Sequence, residues 1–199
     1  MKLKRILALA LMMGALLPVS TTFVACDNDD DDEYIVDNSV AGQAKGEYKG
    51  QNAIAVEMNS AAGTRIMPMG TITDFDVDIT KQTDTKVTVK LDDYEIAIAD
   101  PRSAFSRVES KDLVLKNVDA VLNQDGSVAL KGDLKGQEVQ MLLQPNGNTT
   151  EGPQLKTMTI NEGSLTGNIA KDGTLTLTVK LQPGTMPMPL VYDITAKRK

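Results

Sequence analysis

The sequence has no histidine, no tryptophan and one cysteine. Without histidine there is no Ser-His-Asp or Cys-His nucleophile system, and the commonest metal ligand is missing. A lone cysteine makes no intramolecular disulfide. Aromatic residues are scarce, at three phenylalanines and four tyrosines, which argues against a stacking platform for sugars. No glycine-rich phosphate loop precedes a helical pattern. No basic stripe exists to meet a nucleic-acid backbone, so no nucleic-acid partner is expected. Acid–base chemistry would need a strongly perturbed carboxylate pair. The chain is therefore expected to be no enzyme and to hold no cofactor and no metal.

What is present is zoned along the chain. Met1 to Arg5 is short and basic, Ile6 to Leu17 is apolar except for Gly14, and Ser20 to Ala25 leads to Cys26. A basic start, an apolar middle and a small residue at the cut describe a secretory signal peptide over 1–25. The apolar run is too short for a transmembrane helix, which needs about 20 residues. Cleavage is expected between Ala25 and Cys26. Phe23-Val24-Ala25-Cys26 resembles a bacterial lipobox, with Phe23 where leucine is usual. The resemblance implies a diacylglycerol thioether on Cys26 and an acylated amine after cleavage. Buried acyl chains contribute about 0.8 kcal/mol per CH₂, and stable anchoring takes more than one chain. A membrane then becomes a partner through the lipid anchor.

Charge is zoned as well. The net charge is −6, yet Asp27, Asp29, Asp30, Asp31, Asp32, Glu33 and Asp37 carry seven of the 27 acidic groups within a few residues of Cys26. A block of like charge repels itself and stays extended, so 26–44 is expected to be a disordered acidic tether. The segment Cys26-Asp27-Asn28-Asp29-Asp30-Asp31-Asp32-Glu33 resembles the acidic export signal of Bacteroidales-type surface lipoproteins. That resemblance implies the outer face of the outer membrane. A plain spacer would leave a periplasm-facing location open.

From residue 45 to 199 the chain reads as one domain of ordinary size. Period-2 alternation recurs and helical periodicity is almost absent. Leu175, Leu177, Val179 and Leu181 alternate with threonine and lysine, the pattern of a strand with one buried face. Lys171-Asp172-Gly173 joins this strand to Ser164–Ile169 as a hairpin, because Asp-Gly tolerates the positive φ of a tight turn. A second hairpin joins Val118–Leu122 to Val128–Leu134 through Asn123-Gln124-Asp125-Gly126. A third pairs Ile72–Ile79 with Lys86–Leu91. Phe75, Val77 and Ile79 share a parity that Ile72 breaks, which predicts a bulge near Thr73. Further strands are expected at Tyr48–Met58, Tyr94–Ala99, Val139–Leu143, Lys156–Ile160 and Leu190–Ala196. Asp100 to Phe105 has the cap and the proline of one short helical turn. Eight to ten short strands predict an all-β antiparallel barrel or sandwich, with closure favoured because it removes sheet edges.

Gly46-Glu47-Tyr48-Lys49-Gly50, followed later by the hairpin Ser164 to Leu181, resembles the calycin-like β-barrel domains of Bacteroidales-type surface lipoproteins. It is also loosely similar to the Gly-x-Trp opening of lipocalins, with Tyr48 in the tryptophan position. The likeness implies a calycin-like barrel whose interior can hold a ligand, and implies no biochemical role.

Two side-chain groups stand out in this domain. Asp74, Asp76 and Asp78 share one strand face, but a straight strand spreads them over about 13 Å, too far for one ion. They are read as a solvated face. Met67-Pro68-Met69 and Met186-Pro187-Met188-Pro189 repeat one motif. Methionine fills irregular apolar gaps and adapts to varied ligands. Met67, Met69, Met186 and Met188 are therefore candidate ligand contacts, with simple packing as the competing reading. Two functions follow for a membrane-anchored lipoprotein. One is a barrel that binds a small apolar or amphiphilic molecule. The other is a module that contacts a surface protein or glycan with no ligand inside.

Overall fold

A computed structural model describes residues 37–199 except 62, 100–104, 146, 148–154 and 187. The cleavage and lipidation positions Ala25 and Cys26 and the acidic run Asp27, Asn28, Asp29, Asp30, Asp31, Asp32 and Glu33 lie outside these residues. So does the expected helical turn, apart from Phe105.

The domain begins earlier than the sequence suggests. The last residues of the expected tether belong to the folded unit, which runs Val36–Lys199. Asp37 accepts a hydrogen bond from the Ser39 amide, and Ser39 caps helix α1 (Val40–Ala44) by accepting from Gly42. Ala41 and Ala44 are fully buried. Small apolar side chains every three residues give this turn a face to bury, and that face outweighs the charge of the residues before it.

The alternation read from the sequence builds the wall. In β1 (Gly46–Ser60), Tyr48, Asn52, Ile54 and Val56 face inward while Glu47, Lys49 and Gln51 face water. The other strands are β2 (Gly63–Lys81), β3 (Lys86–Leu91), β4 (Tyr94–Ala97), β5 (Phe105–Lys111), β6 (Leu113–Leu122), β7 (Val128–Asp133), β8 (Glu138–Pro145), β9 (Lys156–Ile169), β10 (Thr174–Pro183) and β11 (Leu190–Arg198). Eight of them close a ring in the order β1-β2-β3-β6-β7-β9-β10-β11, and β11 returns to β1. Every pairing is antiparallel. The expected closed barrel is therefore present.

Three strands lie outside the ring. β4, β5 and β8 pair with one another and with the first residues of β9 as a small second sheet. Sequence reading missed β5 and the start of β6. Only Asp112, with φ 46, separates them, so one long strand changes partners at a kink. Lys156–Ile160 and Ser164–Ile169 likewise form the single strand β9.

The predicted turns hold. Gly126 and Gly173 both have φ 78, and the Asn123 amide donates to the Ser127 carbonyl across the turn. The bulge expected near Thr73 sits at Asp74, whose φ is 58. There the ladder skips one residue, with Gly50 opposite Phe75 and Gln51 opposite Thr73. That extra residue returns Ile72 to the inward face beside Asn52.

Candidate ligand site at the methionine end

The two Met-Pro segments converge although they lie far apart in the chain. Val56 of β1 pairs with Met67 on one side and with Leu190 on the other. The Glu57 amide donates to the Pro189 carbonyl at 2.9 Å. Met67-Pro68-Met69 and the Met186–Pro189 segment therefore flank the same end of β1. Pro68 stays within β2, next to a second register shift between Ile54 and Ala55. Met186 is buried, and Met67, Met69 and Met188 are half-buried. Met158 joins them from β9, its sulfur 3.5 Å from where a Gly184 Cβ would stand.

The two ends of the barrel differ. At one end α1 covers the interior, and Tyr48, Ile79, Val87 and Val118 around it are fully buried. The Tyr48 hydroxyl donates to the Ala44 carbonyl and accepts from Arg198, whose guanidinium carbon lies 5.2 Å from the ring centroid. At the other end β4 leans over the wall. A Cβ on Gly70 would lie 3.3 Å from the Ile96 side chain, so glycine there leaves room for it. Met69, Ile72, Ile98, Phe105, Leu143, Met158 and Met188 pack against the core at this end while remaining partly exposed. The side chains towards α1 are thus sealed, whereas those around the methionines are apolar and partly exposed.

Between these ends lies a buried polar band. The Tyr94 and Tyr192 hydroxyls are 2.7 Å apart, with their rings edge to face at a centroid distance of 5.9 Å. Burial pushes both hydroxyls well above the ordinary tyrosine range, because an ionised phenolate has no water there. Asn52 is fully buried and neither Nδ2 nor Oδ1 finds a partner. Ser110, opposite Tyr94 in the β4–β5 ladder, is buried with its Oγ equally unpartnered. Tyr192 and Ile194 face inward on β11, and Ile194 pairs with Asn52. The polar groups therefore run from the small sheet to the wall of β1.

Two of the aspartates read as a solvated face, Asp74 and Asp76, take separate cations. Asp74 lies 3.6 Å from Lys49, and Asp76 lies 3.2 Å from Lys199. The outer surface also carries a cleft of about 450 Å³ where β6 leaves β8, lined by Val114, Lys116, Gln137 and Thr157 among others. Gln137 bridges this seam. Its carboxamide accepts from the Lys116 amide at 2.8 Å and donates to the Lys116 carbonyl at 3.0 Å, standing in for a missing strand.

No family model and no curated protein matches the sequence. The fold resembles that of a solved protein of Bacteroides fragilis described provisionally as an outer membrane protein. The TM-score is 0.51 at 14% identity, over 81% of this chain and 53% of the other. The chain spans about half of that protein's length, and the likeness establishes the fold alone.

Asn52, Tyr94, Tyr192 and Ser110 escaped sequence reading as a group. One signal for Asn52 was there: it stands on the apolar parity of β1, between Tyr48 and Ile54. Tyr192 was legible as part of an alternating strand, but nothing local to it announces Tyr94 as its partner.

Proposed function

We propose that this chain is a lipoprotein anchored through Cys26 and displayed at the outer membrane surface, with a barrel that takes a small apolar or amphiphilic molecule at its methionine end. The observation that carries the ligand reading is the asymmetry of the inward face. Side chains are sealed towards α1, while half-exposed apolar groups gather opposite, with a few polar groups behind them. Ligand sites have this character: a mostly apolar lining with a small number of placed polar groups. Methionine suits such a lining because its unbranched thioether adapts to varied shapes.

The anchor reading is supported by the basic leader, the apolar run and Cys26 directly after Ala25. The acidic residues Asp27 to Glu33 favour surface display, and the outer-membrane description of the structurally similar protein is consistent with that location. The part played is binding rather than catalysis, since the chain has no histidine and its one cysteine is committed to lipid.

A second reading rests on a separate observation. Beyond Val56, β1 and β2 continue as a two-stranded ribbon past the last β11 pair, and Met58 and Ile66 on it are 38% and 52% exposed. A partner protein could take that ribbon. Native mass spectrometry of the full chain distinguishes the two readings. A small molecule that co-purifies, and is lost in a Met67→Ala/Met188→Ala variant, supports the ligand site. A bare mass that no added amphiphile alters leaves the ribbon reading in its place. Detergent phase partitioning tests the anchor, because a Cys26→Ser chain should move to the aqueous phase.

A further inference from the structure

We infer that the buried polar band beneath the methionine end is a head-group site, and that it selects an amphiphile with an uncharged head able both to donate and to accept hydrogen bonds. This rests on the reading that the methionine end takes an amphiphile, and adds which class of amphiphile it takes.

An unbonded buried amide loses its water and gains nothing in return. A carboxamide offers two donors and an acceptor oxygen, and buried polar groups are nearly always partnered. Asn52 is 0% exposed, and neither end of its amide is bonded. An apolar residue of the same shape would pack there without that penalty, so the amide needs a reason beyond packing. Ser110 repeats the anomaly with an unbonded Oγ on the small sheet. Tyr94 and Tyr192 share a single contact between two hydroxyls, which leaves one hydroxyl proton free to be given elsewhere. The band therefore has unused donors and unused acceptors.

Position connects the band to the site. Asn52 stands directly across the β1–β2 ladder from Ile72, and Ile72 is one of the half-exposed apolar residues of the methionine end. An alkyl chain among the methionines would place its head at this level. Charge then decides the class of head. Among the described residues no charged side chain is buried; apart from the tyrosines, the buried polar residues are Asn52, Ser110 and Ser127. A carboxylate or ammonium carried into this band would lose its water and meet no counter-ion, which is strongly unfavourable. A hydroxyl or a neutral amide would meet its own complement.

The test uses the full chain in native mass spectrometry with 1-decanol and decanoate, two probes of equal chain length that differ in head charge. Wild type should retain decanol at least about tenfold more strongly than decanoate, the scale of an unpaired buried polar contact. Asn52→Leu should weaken decanol retention by at least about threefold with no fall in melting temperature, because it removes an unbonded amide that the hydroxyl head would otherwise meet. Ser110→Ala provides the same comparison if Asn52→Leu fails to fold. Equal retention of both probes overturns the head-group inference and leaves the ligand site standing. An Asn52→Leu chain that retains decanol as strongly as wild type also overturns it. So does one that folds but melts well below wild type, since the amide would then be bonded to internal water. Retention of neither probe removes the ligand site itself, and the head group with it.

Discussion

Gly50 offers the sharpest test of the barrel's construction. It lies on β1 opposite Ala196 of β11 and Phe75 of β2, one residue from the bulge at Asp74. The bulge adds twist where β1 crosses β11, and the two backbones come unusually close. A Cβ on Gly50 would stand 2.0 Å from the Thr195 carbonyl oxygen, 2.5 Å from the Ala196 Cα and 2.8 Å from the Thr195 carbonyl carbon. All three are backbone atoms of a strand paired on both sides, so no side chain can swing away. Overpacking a filled site costs typically 1–3 kcal/mol, and Gly50→Ala belongs at the top, at about 3 kcal/mol. For a folded unit of this size each kcal/mol moves the melting temperature by roughly 2–4 °C, so the expected drop is roughly 6–12 °C. Gly70→Ala is the control. Its Cβ would meet only the Ile96 side chain, at 3.3 Å, and a shift of a few degrees at most is expected. Thermal melts followed by far-ultraviolet circular dichroism give both numbers. A Gly50→Ala chain that melts with wild type, or no lower than Gly70→Ala, would refute the close approach of β1 and β11.

Four further outcomes follow from the same structure. Tyr94→Phe leaves the Tyr192 hydroxyl buried without a partner and should cost about 1–3 kcal/mol in urea melts, while the Tyr94→Phe/Tyr192→Phe double change costs less than the sum of the single ones. In wild type these hydroxyls ionise at higher pH folded than unfolded, so stability present below pH 10 should fall as pH rises above it, and the double variant should lose less. Asp37, held down to about 2 first by its hydrogen bond from Lys81 and then by Ser39, contributes stability that is complete above its ordinary value of 3.8 and is lost as pH falls towards 2. Melting temperatures of wild type and Asp37→Asn should therefore converge over that window, and a gap that persists at pH 2 would contradict the pairing. Gln137→Ala opens the seam between β6 and β8 and should cost about 1–2 kcal/mol, with faster amide exchange at Lys116.

Much of the wall was legible because a strand writes its burial locally. Leu175, Leu177, Val179 and Leu181 are inward and buried because successive side chains point to opposite faces. The positive φ required at Gly126 and Gly173 is likewise a two-residue matter. Even the bulge showed as a break of parity at Ile72. The long strand of β5 and β6 was obscured because its alternation resets at Asp112. The α1 turn was hidden by the acidic residues before it, since only the barrel end provides the surface on which Ala41 and Ala44 are buried.

By itself the sequence determined the all-β class, the hairpins and the inward residues, since each depends on neighbours within a few positions. The tertiary structure alone decided that the ring closes, that β4 leans onto Gly70, that the two methionine segments flank one end of β1, and that Asn52 faces an interior with no partner for it. Those facts depend on which distant strands lie side by side, and pairing across a closed sheet is set by the packing of all inward side chains together rather than by any one segment.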